Sequence, residues 1–228
     1  MRWSRARHLF GRETMRPLRG LLLLTSSLMS IGCASAYYGT WERFGKDKRD
    51  LLVDRVADAK GSQEEATEDF RGALDVYREV VDVDGGELEE YYDRLQSSYD
   101  RSLEGADQVR HDIDRVHTVS EDLFREWETE LGQYSDPALR RRSEETLGEA
   151  RSEFRRLMGA MERAEASMDP PLERFEDQVL FLKHNLNARA ITSLETERGR
   201  ISDDVERLVS EMERSIQEAE AFIETMQG

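Results

Sequence analysis

The chain predicts an all-α fold, an elongated antiparallel coiled coil or helical bundle of three to four long helices. Three observations point there. Of the 228 residues, 36% are charged and 38% hydrophobic, where ordinary globular domains have roughly 25% charged residues. Proline, the strongest helix breaker, occurs only 4 times. Apolar residues recur at alternating spacings of four and three over long runs, the 3.5-residue period of a helix seam. No strand-like alternation and no long linker interrupts them.

Composition also narrows function. The formal net charge is −16, which argues against nonspecific nucleic-acid binding, because phosphates reward a basic face. One cysteine excludes a disulfide framework and a cysteine-based zinc site within one chain.

The first element, residues 1–32, differs from the rest. Arg2, Arg5, Arg7, Arg12, Arg16 and Arg19 stand against a single acid, Glu13. An apolar run from Leu21 to Ile31 follows, then Gly32, Cys33 and Ala34. A basic n-region, a short apolar h-region and a small residue at the cleavage point make a secretory signal. The run is about half of the ~20 residues needed to span a bilayer, so it predicts a removable leader and not a permanent span. Met15 is a second candidate start, since Met15 to Arg19 alone would serve as n-region.

Ser30-Ile31-Gly32-Cys33 resembles the lipobox of bacterial lipoproteins, with Ser30 where that pattern prefers Leu. The resemblance implies cleavage before Cys33 and acylation of its sulfur and new amine. Several acyl chains, at ~0.8 kcal/mol per buried CH₂, hold far better than one. Ala34 in place of Asp resembles the signal for sorting to the outer membrane of Gram-negative bacteria. The alternative is an ordinary secreted protein with one unpaired cysteine. Residues 33–228 keep 27 basic and 48 acidic side chains, a net of −21. Such a charge repels anionic lipid, so the acyl chains are expected to hold the chain to the membrane. Residues 33–50 are the membrane-proximal segment of this scheme and 51–228 the helical domain.

The first seam is Leu52, Val56, Ala59, Gln63, Ala66, Phe70, Ala73, Tyr77 and Val80, stopped by Asp82 to Gly86. The second runs through Leu88, Tyr92, Leu95, Tyr99, Ser102, Ala106, Val109, Ile113, Val116, Ser120, Leu123, Trp127, Glu130 and Tyr134. At 1.5 Å per residue it predicts a rod of ~70 Å. Gly105, with Ser102 and Ala106, marks a close helix approach. Ser135 or Asp136 is the expected N-cap of the next helix, with Pro137 at its first position.

The third seam is Leu147, Ala150, Phe154, Leu157, Met161, Ala164 and Met168. Asp169-Pro170-Pro171 then predicts a kink or a break, and Leu172, Phe175, Val179, Leu182 and Leu186 continue nearly in phase. Lys183 to Arg189 is either a hairpin, through its turn-tolerant asparagines, or continuous helix. The last seam is Leu194, Arg198, Ile201, Val205, Leu208, Met212, Ser215, Ala219, Phe222 and Met226.

Tyr37 to Lys46, Lys48 to Arg55 and Asp177 to Ala188 are similar to segments of the bacterial family termed domain of unknown function 2959. The similarity covers about residues 35–228 and implies a helical fold and a Gram-negative envelope location. It implies no activity and no catalytic residues.

The residues themselves suggest little chemistry. Gly39 to Lys46 superficially resembles a phosphate loop, but five residues separate Gly39 from Gly45 and Asp47 follows the lysine. A phosphate loop needs four, and Ser or Thr after Lys, so no nucleotide is expected. A di-metal bundle needs two Glu-x-x-His pairs facing the core. Asp114 and His117 are the nearest match and are expected to face outward, so no metal or other cofactor is predicted. No Gly-x-Ser-x-Gly turn presents a nucleophile. No catalytic residue is expected, and the chain reads as a non-enzyme.

Two clusters remain as candidate contact sites. Lys183, His184, Asn185, Asn187 and Arg189 form either a partner-binding patch or a polar layer that fixes helix register. Tyr37, Tyr38, Trp41 and Phe44, shortly after Cys33, either rest at the membrane interface or cap one end of the bundle. The expected role is a lipid-anchored, periplasm-facing scaffold, spacer or partner-binding rod of the outer membrane. Its expected partners are the membrane, through N-terminal acyl chains, and an envelope protein. A soluble periplasmic acidic module that sequesters a cation or a protein client is the alternative.

Overall fold

A computed structural model describes residues 48–82, 88–186 and 188–227, with the side chains of 188 and 189 outside that description. Within it the chain forms five α-helices: α1 (Lys48–Val81), α2 (Leu88–Leu131), α3 (Pro137–Ala166), α4 (Asp169–His184) and α5 (Ala188–Gln227). No strand occurs among the described residues. The 44 residues of α2 span about 66 Å at 1.5 Å each.

α3 and α4 act as one kinked arm. Ser167 and Met168 keep right-handed helical dihedrals, φ −77°, ψ −11° and φ −76°, ψ −30°. The Ser167 N–H still reaches the Arg163 carbonyl at 3.1 Å, and Leu172 N–H reaches Met168 at 3.3 Å. Pro170 and Pro171 fall in the first turn of α4, where a missing N–H costs least. The double proline therefore bends the arm without reversing it.

Reversal occurs instead between His184 and Ala188. Asn185 ends α4, its side-chain Nδ2 donating to the Phe181 carbonyl at 2.9 Å and its backbone N–H to Leu182 at 3.0 Å. Its dihedrals, φ −134° and ψ 55°, are not left-handed, so Asn185 works through its side-chain bond and not through positive φ. At the other hairpin Asp136 is the N-cap of α3, accepting from Ala138 N–H at 2.8 Å, with Pro137 following it.

Four arms result, each antiparallel to its neighbours. α1 packs on α2 and α5, and the α3–α4 arm packs on the same two helices. Cross-contacts fix the directions. Along α1 and α2, Lys48 meets Glu126, Asp58 meets Arg115 and Glu79 meets Arg94. Along α1 and α5, Lys60 meets Glu220, Arg71 meets Glu213 and Asp82 meets Arg198. This is the up-down-up-down helical bundle.

All nine residues of the first seam are fully buried, Gln63 included. The other seams line the same core, though Tyr92, Tyr99, Trp127, Ala150 and Arg198 are only half-buried and Glu130, Tyr134 and Leu186 are exposed. Glu130, in the last turn of α2, and Tyr134, three residues past its end at Leu131, stand exposed. Leu186 is exposed because the helix has already ended at His184. Aromatic edges tie arms together at both ends. Phe154 meets Phe124 at 5.5 Å and Phe222 at 5.9 Å, and Tyr77 meets Phe175 at 6.3 Å.

Candidate functional site

The predicted contact patch sits at the reversal between α4 and α5. Lys183 and His184 are exposed, and Asn185 is half-buried by its capping role. Asn187 and the side chain of Arg189 lie outside the described residues. So do the leader 1–32, Cys33, Tyr37, Tyr38, Trp41 and Phe44, the Gly39 to Lys46 stretch, and residues 83–87 with their paired glycines.

A concavity runs between α1 and α2, a groove of about 810 Å³. Gly61 and Gly105 open it by lacking side chains. A Cβ placed on Gly105 would stand 3.5 Å from the Ala66 backbone and 3.3 Å from the Asp69 carboxylate. The close approach read from Gly105 is thus the floor of the groove. Asp58, Glu65, Asp69, Glu104 and Asp112 line it against Arg101 and Arg115, which gives it an acidic balance. Asp112 is buried, accepting from Gln108 Nε2 at 2.8 Å and from Arg115 at 2.9 Å. Arg115 reaches on to Asp58 at 3.6 Å and links the two helices across the groove. The single-seam pattern did not pick out Asp112; its signal was a Gln-to-Asp step of four followed by a Asp-to-Arg step of three on one helix face.

Asp114 and His117 are both exposed, as is His111. His117 Nδ1 lies 4.0 Å from Glu121, on its own helix. Among the described residues no three His, Cys, Asp or Glu side chains converge as a metal-binding group. No described helix is long and apolar enough to cross a membrane.

Buried polar groups concentrate in the bundle interior. Gln63, Ser102 and Ser215 are fully buried, and their side-chain polar atoms have no protein partner. Ser62 and Thr67 are satisfied locally, donating to Ala59 and Gln63 carbonyls at 3.0 and 2.7 Å. Asp204, also buried, is held by Arg174 and by Arg207 at 3.2 Å.

A second surface feature is the α2–α3 hairpin tip. Arg140, Arg141 and Arg142 are the one run of three consecutive basic residues after position 32, and all three are exposed. The sequence displays the run openly; its meaning depends on where the hairpin stands in the fold.

Fold and surface together define an acidic, all-helical bundle of four antiparallel arms. The chain belongs to the family described as Protein of unknown function (DUF2959), whose model matches residues 37–226. Comparison with curated proteins gave no match.

Proposed function

We propose that the protein is a non-enzymatic, lipid-anchored component of the Gram-negative envelope, an outer-membrane lipoprotein whose bundle faces the periplasm as a scaffold, spacer or partner-binding element. The observation that carries this reading is the pairing of a lipobox-like Cys33 with a chain otherwise spent on long bundle helices. A bundle with core side chains on every arm supplies length and stiffness. The test is metabolic labelling with a fatty-acid analogue in wild type and Cys33→Ala. Label on the wild type alone is expected, and an unlabelled wild type ends the anchor reading.

The acidic groove between α1 and α2 favours a second reading, a soluble periplasmic module that sequesters a cation or a basic protein client. Its carboxylates outnumber its two arginines, and charge complementarity would draw a cationic ligand to it. Calorimetry with divalent cations and a pull-down from envelope extract separate the two. Saturable cation binding without stable protein partners supports sequestration.

A further inference from the structure

The α2–α3 hairpin extends past the level where α1 begins. Lys48, the first residue of α1, pairs with Glu126 at 2.8 Å. Beyond Glu126, α2 runs on to Leu131 and turns into α3 at Pro137. From Pro137 to Thr146 every residue but Ser143 is exposed. The tip is nevertheless a built element. Trp127 Nε1 donates to Ser143 Oγ at 2.9 Å, and Asp136 caps α3.

Its surface is basic where the chain as a whole is acidic, a balance that the α4–α5 reversal, with Lys183 and no acid from 178 to 194, shares. Residues 132–143 carry Asp136 against three arginines, a local charge of +2 in a chain of −16. Arg140 pairs with Glu144 at 2.8 Å, while Arg141 and Arg142 have no ion pair among the described residues. Of the nearby acids, Glu128 is engaged by Arg151 at 2.6 Å, and Glu130 and Glu145 remain on the shaft behind. Tyr134 and Leu139, two of the five large apolar side chains exposed among the described residues, stand 44% and 53% open beside the arginines.

The chain enters the bundle at this same end. Fourteen residues separate Cys33 from Lys48, a reach of at most about 50 Å. The tip stands about 14 Å beyond Lys48, from the helical rise, within that reach. Arginine pairs with phosphate in a bidentate fork, and tyrosine favours the headgroup layer.

We propose that the hairpin tip is a second membrane contact, in which Arg141 and Arg142 bind the phosphates of anionic phospholipid while Tyr134 and Leu139 enter the headgroup layer. This rests on the lipid-anchor reading above. It holds the bundle tip-down on the bilayer, a constraint that a flexible tether alone does not impose.

The test uses the full processed chain extracted from membranes and reconstituted into vesicles. A polarity-sensitive thiol dye is placed on Ala138→Cys at the tip, or on Leu186→Cys at the far end. Phosphatidylethanolamine–phosphatidylglycerol vesicles are compared with phosphatidylcholine vesicles. The tip dye is expected to shift to the blue on the anionic vesicles only, and the far-end dye to stay in water. Arg141→Gln with Arg142→Gln is expected to abolish the shift. An unshifted tip dye, a shift indifferent to both arginines, or a shift that requires envelope extract in place of anionic lipid overturns the proposal, the last in favour of a protein partner. Dye uptake by the chain without added cysteine reveals a free Cys33 thiol and overturns the anchor reading itself. No such uptake with an unshifted tip dye overturns the tip contact alone.

Discussion

The Tyr77 hydroxyl donates to the Leu194 carbonyl at 2.6 Å, joining the last third of α1 to the second turn of α5. The phenol is fully buried and meets Phe175 edge-on, so one side chain links three helices near the α4–α5 reversal. Burial raises its pKa well above the usual 10.0; Glu197 adds to the rise and Arg198 opposes it. The phenol thus stays a donor wherever the protein is handled near neutrality. Tyr77→Phe is expected to cost about 1 kcal/mol, the net worth of one hydrogen bond. Tyr77→Ala is expected to cost about 3–5 kcal/mol through the cavity. The pH dependence has a definite sign. Above pH 10 the unfolded chain loses the phenolic proton while the folded chain keeps it, so stability falls as pH rises. Urea unfolding at pH 8 and pH 11 should show the gap between wild type and Tyr77→Phe narrowing at the higher pH.

Gln63 occupies a seam position with its amide fully buried and lacking a protein partner. An unpaired buried amide costs about 1–3 kcal/mol. Gln63→Leu is therefore expected to raise the urea midpoint by a corresponding amount. Polar seam residues also fix register and oligomeric state, so light scattering should accompany the melt and show an additional species in the variant. A loss of stability would mean that internal water already satisfies the amide.

Gly105 lets α2 approach α1. Gly105→Ala adds a methyl group 3.5 Å from Ala66, an ordinary contact, and 3.3 Å from the flexible end of Asp69. Alanine also relieves a helix-propensity cost of about 1 kcal/mol. The alanine variant is expected to be neutral or up to about 1 kcal/mol more stable. Gly105→Leu must push into the neighbouring helix and is expected to lose about 1–3 kcal/mol. Calorimetric melting temperatures of the two variants should move in opposite directions from the wild type.

Helix seams were legible because a 3.5-residue period survives without knowledge of the partner: Leu52 through Val80 were placed correctly to the last residue. Breadth was not legible. Leu51, Leu74, Val119, Phe124 and Met158 are also buried, because each arm faces two neighbours and its apolar stripe widens beyond a single seam. Where a helix ends is not written in its seam, so Tyr134 fits the period yet lies past the end of α2 at Leu131. The prolines at 170 and 171 announced a disturbance, but kink and break differ only in the dihedrals of Ser167 and Met168. The acidic groove is lined by carboxylates from two helices, Asp58, Glu65 and Asp69 on α1 and Glu104 and Asp112 on α2, a juxtaposition that no local pattern encodes.

Glu165 supplies a pH-dependent test of the kinked arm. It is half-buried two residues before Ser167, and its pKa lies above the usual 4.5. Burial is the largest cause; Arg110 pulls the other way, and Asp114, Asp169 and Glu162 push it further up. The folded state therefore holds this proton more tightly than the unfolded chain. Stability falls as pH rises from about 4.5 through the raised folded value. Glu165→Gln keeps the shape and removes the charge. Its thermal midpoint should exceed that of the wild type at pH 7, and the advantage should vanish below pH 4.5, where both states of the wild type are protonated. Arg110 remains neutralised in the variant by Asp107 at 2.9 Å and Asp169 at 2.7 Å, so no unpaired cation offsets the gain. A variant less stable than wild type at pH 7 would show that attraction to Arg110 outweighs the desolvation of the carboxylate.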